Sequence, residues 1–125
     1  LFRSAQLATE ESAYVDARSY EVNYSIGDAT TILLGNVSVD RKIETVTAEV
    51  TVAFNDANAN IILGTTADPD LLFQNDSADL DQLSTYLVKP EYYVTDLTGQ
   101  DEQFYVTIDP QTATVGNVTV KITYI

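Results

Sequence analysis

Asp56, Asn58 and Asn60 fall on alternate positions, the spacing at which oxygen ligands open a calcium-binding loop. The pattern stops there. The sixth position would be Ile61, where such a loop needs Gly for its sharp turn, and the twelfth would be Ala67, where it needs a bidentate Glu. An EF-hand is therefore excluded. A looser calcium site could be built from Asp56 or from Asp76, Asp79 and Asp81, because hard oxygen ligands suit that ion. Solvated acidic loops are the commoner fate of such residues, so no cofactor is expected.

Other chemistries find even less to work with. Glycoside hydrolysis needs two carboxylates at a set separation, and nothing selects two of the 19 acidic residues. The chain has no His and no Cys, which removes the Ser–His triad, the thiolate nucleophile, the zinc–thiolate site and the disulfide. No glycine-rich phosphate loop and no nucleophile elbow is present. Tyr86, Tyr92, Tyr93 and Tyr105 could make an aromatic sugar-stacking platform if they shared one sheet, although Tyr is also simply a good half-buried strand residue. Sequon patterns at Asn23, Asn36, Asn75 and Asn117 are close to chance in a chain so rich in Ser and Thr. The expectation is a protein without catalytic residues.

Charge narrows the partners. The 125 residues carry 19 acidic against 6 basic side chains, a formal net charge of −13. Arg3, Arg18, Arg41, Lys42, Lys89 and Lys121 are scattered, with one adjacent pair. Phosphate neutralisation needs clustered cations, so neither nucleic acid nor an anionic membrane surface is an expected partner. No apolar run approaches the roughly 20 residues of a membrane span. A composition that is 45% hydrophobic is globular, and a chain this long buries enough surface for one domain.

The elements that must position these residues show the strand period of two. Tyr20, Val22, Tyr24 and Ile26 alternate with polar residues up to a turn at Gly27-Asp28, and Thr30 to Val37 is a strand interrupted at Gly35. Val46, Ala48, Val50, Val52 and Phe54 alternate with a mostly Thr/Glu face. Asn60 to Thr65 is a short strand. Residues 66–85 form an Asp-rich connection whose Leu71, Leu72, Phe73, Leu80 and Leu83 should tuck beneath it. A helical turn is expected at Asp68 to Phe73, with Asp68 as N-cap and Pro69 first in the helix. Tyr86 to Val94 crosses Pro90, which marks an edge or a bulge. Phe104 to Ile108 and Val118 to Tyr124 complete seven or eight strands.

Spacing of about ten residues with turns between predicts an all-β fold, an antiparallel β-sandwich or barrel over residues 20–125. Residues 1–19 show no clean period and read as an extended N-terminal arm. Three large apolar residues in the first seven, Leu1, Phe2 and Leu7, are many for a free tail. Together with Arg3, Tyr14 and Val15 they are the expected contacts with a neighbouring subunit. A chain without Met that starts at Leu1 is expected to derive from a cleaved precursor or a longer parent.

One stretch carries a resemblance. The Thr-rich strand Glu44 to Phe54 is followed by Ile61-Ile62-Leu63-Gly64-Thr65, then by Thr66-Ala67-Asp68-Pro69-Asp70-Leu71-Leu72. Downstream come Asp79-Leu80, Thr85-Tyr86, a Gly116 turn and a final strand ending Tyr124-Ile125. From about Ile43 onward the chain resembles small jelly-roll structural proteins of tailed bacteriophages, modules found on heads and fibres. It departs from them before Tyr86, where Ser84-Thr85 replaces the usual Gly. The resemblance implies a jelly-roll-like sandwich of about eight strands and a non-enzymatic virion protein. More narrowly it implies a capsid decoration or cement protein on the outer capsid surface. Such a protein would form a homotrimer and bind the major capsid protein. The rival expectation is a receptor- or carbohydrate-binding fibre domain, assisted by calcium, with its ligand on the loops at Asn55 to Asn60 and Asp76 to Asp81.

Overall fold

The computed structural model describes residues 18–94 and 101–125, and these contain eight strands and no helix. They are β1 (Arg18–Ser25), β2 (Thr31–Val37), β3 (Lys42–Val52), β4 (Asn60–Gly64), β5 (Thr85–Val88), β6 (Tyr92–Tyr93), β7 (Glu102–Asp109) and β8 (Asn117–Tyr124). The larger sheet has the order β1-β8-β3-β5, with β6 extending the β5 edge by pairing with the start of β3. The smaller sheet has the order β2-β7-β4. Every pairing is antiparallel. Apart from the step from β5 to β6, consecutive strands alternate between the sheets. That is the strand order of a jelly-roll sandwich.

The period of two sets which side chains meet between the sheets. Val46, Ala48 and Val50 of β3 are buried, as are Val118, Val120 and Ile122 of the neighbouring β8. Phe104, Val106 and Ile108 of β7 face them from the smaller sheet and are buried too. Each such Val or Ile contributes about 1.5–3 kcal/mol through apolar area removed from water. Tyr24 and Phe54 close one end of the core as a stacked pair, ring centroids 6.2 Å apart. Tyr92 and Phe104 meet edge to face at 6.3 Å near the other end.

The long connection after β4 tucks in as expected at Leu72, Phe73 and Leu80, all buried, and at half-buried Leu71, with Ala78 buried beside them. Leu83 is an exception, 69% exposed just before β5. The expected helical turn is reduced to one hydrogen-bonded turn, in which the Leu71 amide donates to the Asp68 carbonyl at 3.2 Å, and no helix follows it. Thr65 and Asp68 instead hold each other: the Thr65 amide donates to the Asp68 carbonyl, and the Asp68 amide donates to Thr65 Oγ1, both at 3.0 Å. The chain then returns along β4, where Leu63 and Phe73 form an isolated antiparallel bridge. A second strand-like contact satisfies the backbone that a helix would have satisfied internally.

Pro90 splits the expected strand into β5 and β6, both on the edge beside β3. The irregularity foreseen at Gly35 is a register shift between Leu33 and Gly35 in the β2–β7 pairing. β1 starts at Arg18, so two residues assigned to the arm, Arg18 and Ser19, belong to the sandwich.

Candidate functional site

Two outward faces remain once the core is assigned, and they differ in kind. On the larger sheet the outward residues of β1, β3 and β8 are mostly Thr, Ser, Asn and Glu, and the Thr, Ser and Asn side chains bond to one another across strands. Asn23 Nδ2 donates to Asn117 Oδ1 and to Thr119 Oγ1, both at 2.9 Å. Asn117 Nδ2 returns a bond to Asn23 Oδ1 at 3.1 Å, and Thr51 Oγ1 donates to Asn117 Oδ1 at 2.6 Å. Thr45 and Thr123 hydroxyls pair one strand over. Such a ladder stiffens a wet face while leaving it flat. Along the β5–β6 edge of this sheet stand the exposed side chains of Leu83, Leu87 and Tyr93, the last with Lys42 Nζ 5.7 Å from its ring centroid.

The smaller sheet carries a trough. Its outer rows pair Thr31 with Thr107 and Ile62, then Leu33 with Tyr105 and Gly64. The turn that follows β4 rises over this surface. Between that turn and the strands lies a groove of about 400 Å³, with Tyr105, Thr31 and Thr107 on the sheet side and Thr65, Thr66 and Pro69 on the turn side. Thr65 and Thr66 also wall a second hollow of about 650 Å³, which runs on to Asn36, Gln103, Asp101 and Glu102. Gly64 makes the groove possible. A Cβ there would meet the Asp68 carbonyl oxygen and lie 2.7 Å from the Leu71 amide nitrogen, so no other residue lets the turn fold this tightly onto β4.

Electrostatics separates the faces further. Among the described residues, Arg18, Arg41, Lys42, Lys89 and Lys121 all lie in or directly beside strands of the larger sheet. The strands of the smaller sheet contain no Lys or Arg. Asp68 and Asp70, both exposed, stand so close on the turn that a hydrogen bond between their carboxyl groups holds the Asp68 pKa above its ordinary value, with slight desolvation and the Asp70 charge adding to it. Burial, and then the hydrogen bond that its hydroxyl donates to Glu102 Oε1 at 2.8 Å, push Tyr92 up to about 12.

The residues singled out in the sequence are dispersed. Asp56 acts as a loop brace: Oδ2 accepts from the Thr112 amide at 3.0 Å and from Thr112 Oγ1 at 2.6 Å, and Oδ1 accepts from the Asn58 amide at 2.8 Å. These bonds, the Thr112 hydroxyl first, hold its carboxyl below the ordinary range. No group of three acidic side chains that could hold a metal forms among the described residues. The tyrosine platform is also divided. Tyr86, Tyr92 and Tyr93 belong to the larger sheet, whereas Tyr105 sits on β7 in the smaller one. Within the larger sheet Tyr92 points inward to Phe104 and Glu102, and the Tyr86 hydroxyl is bound to the Asp79 carbonyl at 2.9 Å. The proposed subunit contacts Leu1, Phe2, Arg3, Leu7, Tyr14 and Val15 lie outside the described residues.

The trough is the feature that the sequence did not announce. Thr31, Tyr105 and Thr107 are all outward by strand period, but their convergence depends on pairing β2 with β7, some 70 residues away.

No protein-family model matches the sequence, and no curated protein matches it. Among solved structures the fold is similar to a chain of the cyanophage Pam1 capsid asymmetric unit, with a TM-score of 0.67 and 17% identity over 98% of this chain and 95% of that one. It is also similar to a chain in the acidic stable capsid structure of Helicobacter pylori bacteriophage KHP30, with a TM-score of 0.66 and 8% identity over 86% of each chain. At such identities the likeness is one of fold.

Proposed function

We propose that this protein is a non-enzymatic structural component of a bacteriophage virion, and within that class a capsid decoration or cement protein. The observation that carries the reading is the fold shared over nearly the whole length of both chains with a protein of the cyanophage Pam1 capsid asymmetric unit. The resemblance of the stretch from Ile43 onward to phage head and fibre modules supports the same reading, and so does a chain without His or Cys.

The work of such a protein is mechanical. Apolar area buried between copies and against the shell would stabilise the particle. The larger sheet, with all the described Lys and Arg and with exposed Leu83, Leu87 and Tyr93, is the face suited to protein neighbours, namely the other copies in a homotrimer and the major capsid protein. The smaller sheet, whose strands carry no positive charge, would face solvent on the outer surface and keep like-charged particles apart. The apolar residues near the start of the chain, Leu1, Phe2 and Leu7, would contact a neighbouring copy.

Cryo-electron microscopy of virions from cells that produce the protein tests this directly. Sandwich-shaped density on the outside of the shell, between major capsid subunits, is the expected result. Density at the tail tip would favour the receptor-binding rival, and absence from the particle would overturn the reading. Deleting Leu1 to Ala17 should abolish binding to undecorated shells while the sandwich stays folded. Undiminished binding by the truncated protein would remove the arm from the mechanism.

A further inference from the structure

The trough on the smaller sheet is a ligand site, and the geometry points to a neutral oligosaccharide as what it binds. Its shape comes first. Two hollows of about 400 and 650 Å³ share Thr65 and Thr66 as wall residues, so they lie next to each other on this face. Small-ligand sites span about 300–1,000 Å³, and two neighbouring hollows of that size suit successive units of a chain-like ligand.

The lining has the two surfaces that a sugar ring presents to a protein. Carbon-bound hydrogens on one face of a pyranose are apolar and weakly positive, and they pack on the negative face of an aromatic ring. Tyr105 supplies that ring, half-buried on the sheet, with its hydroxyl held to Gln103 Oε1 at 3.2 Å. Around the rim of a pyranose stand hydroxyls that both donate and accept. Thr31, Thr65, Thr66 and Thr107 meet them with hydroxyls, and Asn36 and Gln103 with amides.

Charge selects among glycans. The cleft ends at Asp101 and Glu102, with Asp68 and Asp70 on the turn beside it, and no Lys or Arg lines either hollow. Sialylated, sulfated or phosphorylated sugars would meet only like charge there, and so would nucleotides. A neutral ligand is left. Of the four tyrosines expected to share a platform, Tyr105 alone lies here, while Tyr86, Tyr92 and Tyr93 stand on the other sheet. The site stands independently of the decoration role, since a cleft on the smaller sheet is available whatever the larger sheet contacts.

The test is a screen of the full chain against immobilised neutral oligosaccharides, glucans, mannans and N-acetylhexosamine oligomers, with sialylated and sulfated glycans alongside. Hits are then titrated by amide NMR. The expected result is binding to a neutral glycan with shifts centred on Thr31, Thr65, Tyr105 and Thr107. Tyr105→Ala should weaken it by about tenfold or more, while Tyr105→Phe, which keeps the ring, should stay within about threefold. Thr66→Gln narrows the cleft from an exposed turn without touching a strand, so it gives the same answer if Tyr105→Ala fails to fold. Tyr93→Ala, on the larger sheet, should leave binding unchanged. The proposal is overturned if no neutral glycan binds, if only anionic glycans bind, or if both Tyr105→Ala and Thr66→Gln bind as well as the parent.

Discussion

The ring of Tyr20 on β1 lies against Gly35 on β2, and its hydroxyl donates to the Asn36 carbonyl at 2.9 Å. A Cβ added to Gly35 would sit 2.6 Å from that ring. The ring cannot easily yield, because it stacks on Tyr124 at 5.6 Å and Tyr124 in turn lies 5.5 Å from the Arg41 guanidinium. The two sheets therefore meet here through one aromatic ring laid on bare backbone.

Gly35→Ala should accordingly cost about 1–3 kcal/mol, the usual range for forcing a methyl into a packed contact. Tyr20→Phe should cost about 1 kcal/mol for the lost hydrogen bond. In a Tyr20→Ala background the Gly35→Ala substitution should lose most of its effect, since the ring it strikes is gone. Urea unfolding of the four proteins measures this, and additive effects would show that the ring is not the obstacle.

Gly64→Ala should be worse than Gly35→Ala. Its new Cβ meets the backbone of Asp68 and Leu71 rather than a side chain, so relief requires opening the turn itself. Thermal melts should show a larger fall in midpoint, and the amides of Leu72 and Phe73, which bond to the Leu63 carbonyl, should lose protection from hydrogen exchange.

Asp56 makes stability depend on pH in a defined direction. Its folded pKa lies below the ordinary value of 3.8, so the carboxylate's contribution is present above that value and is lost as pH falls through the folded pKa. Asp56→Asn should lower stability at neutral pH and flatten the acid limb of the stability curve. Melting profiles between about pH 2 and pH 6 check it, and an unchanged acid limb would show that Asp56 does not brace the Thr112 turn.

Tyr92 predicts the opposite limb. Its phenol is raised from 10.0 to about 12, so the stability it contributes is complete below pH 10 and is lost as pH rises toward 12. Burial also raises Tyr24 and Tyr124, so ultraviolet titration should show several late-ionising tyrosines, and Tyr92→Phe should remove the one near pH 12. Glu102→Gln should move that ionisation toward the ordinary value, because burial then acts without the neighbouring carboxylate.

Much of the sandwich was legible because a strand with one wet face writes its period into the chain. Val46, Ala48 and Val50 alternate with Thr45, Thr47 and Glu49, and the sheet buries the first set. Pro90 and Gly35 marked an edge break and a register shift because each forbids or frees a particular backbone geometry. Local rules misled at Asp68-Pro69. That pair suits a helix start, but the backbone found partners on β4, and long-range pairing outweighed local preference.

The chain by itself determined the inward and outward face of most strands, the lack of imidazole and thiol chemistry, and the excess of negative charge, since these follow from composition and from a period of two. Which strands pair, and so which outward residues share a surface, was decided by the tertiary structure alone. Tyr105 and Tyr93 look alike in sequence, yet one lines a cleft and the other stands on the opposite sheet beside Lys42. The reason is physical: antiparallel pairing couples residues tens of positions apart through backbone hydrogen bonds that carry no side-chain signature. Only the joint packing of both sheets selects which pairings bury the core.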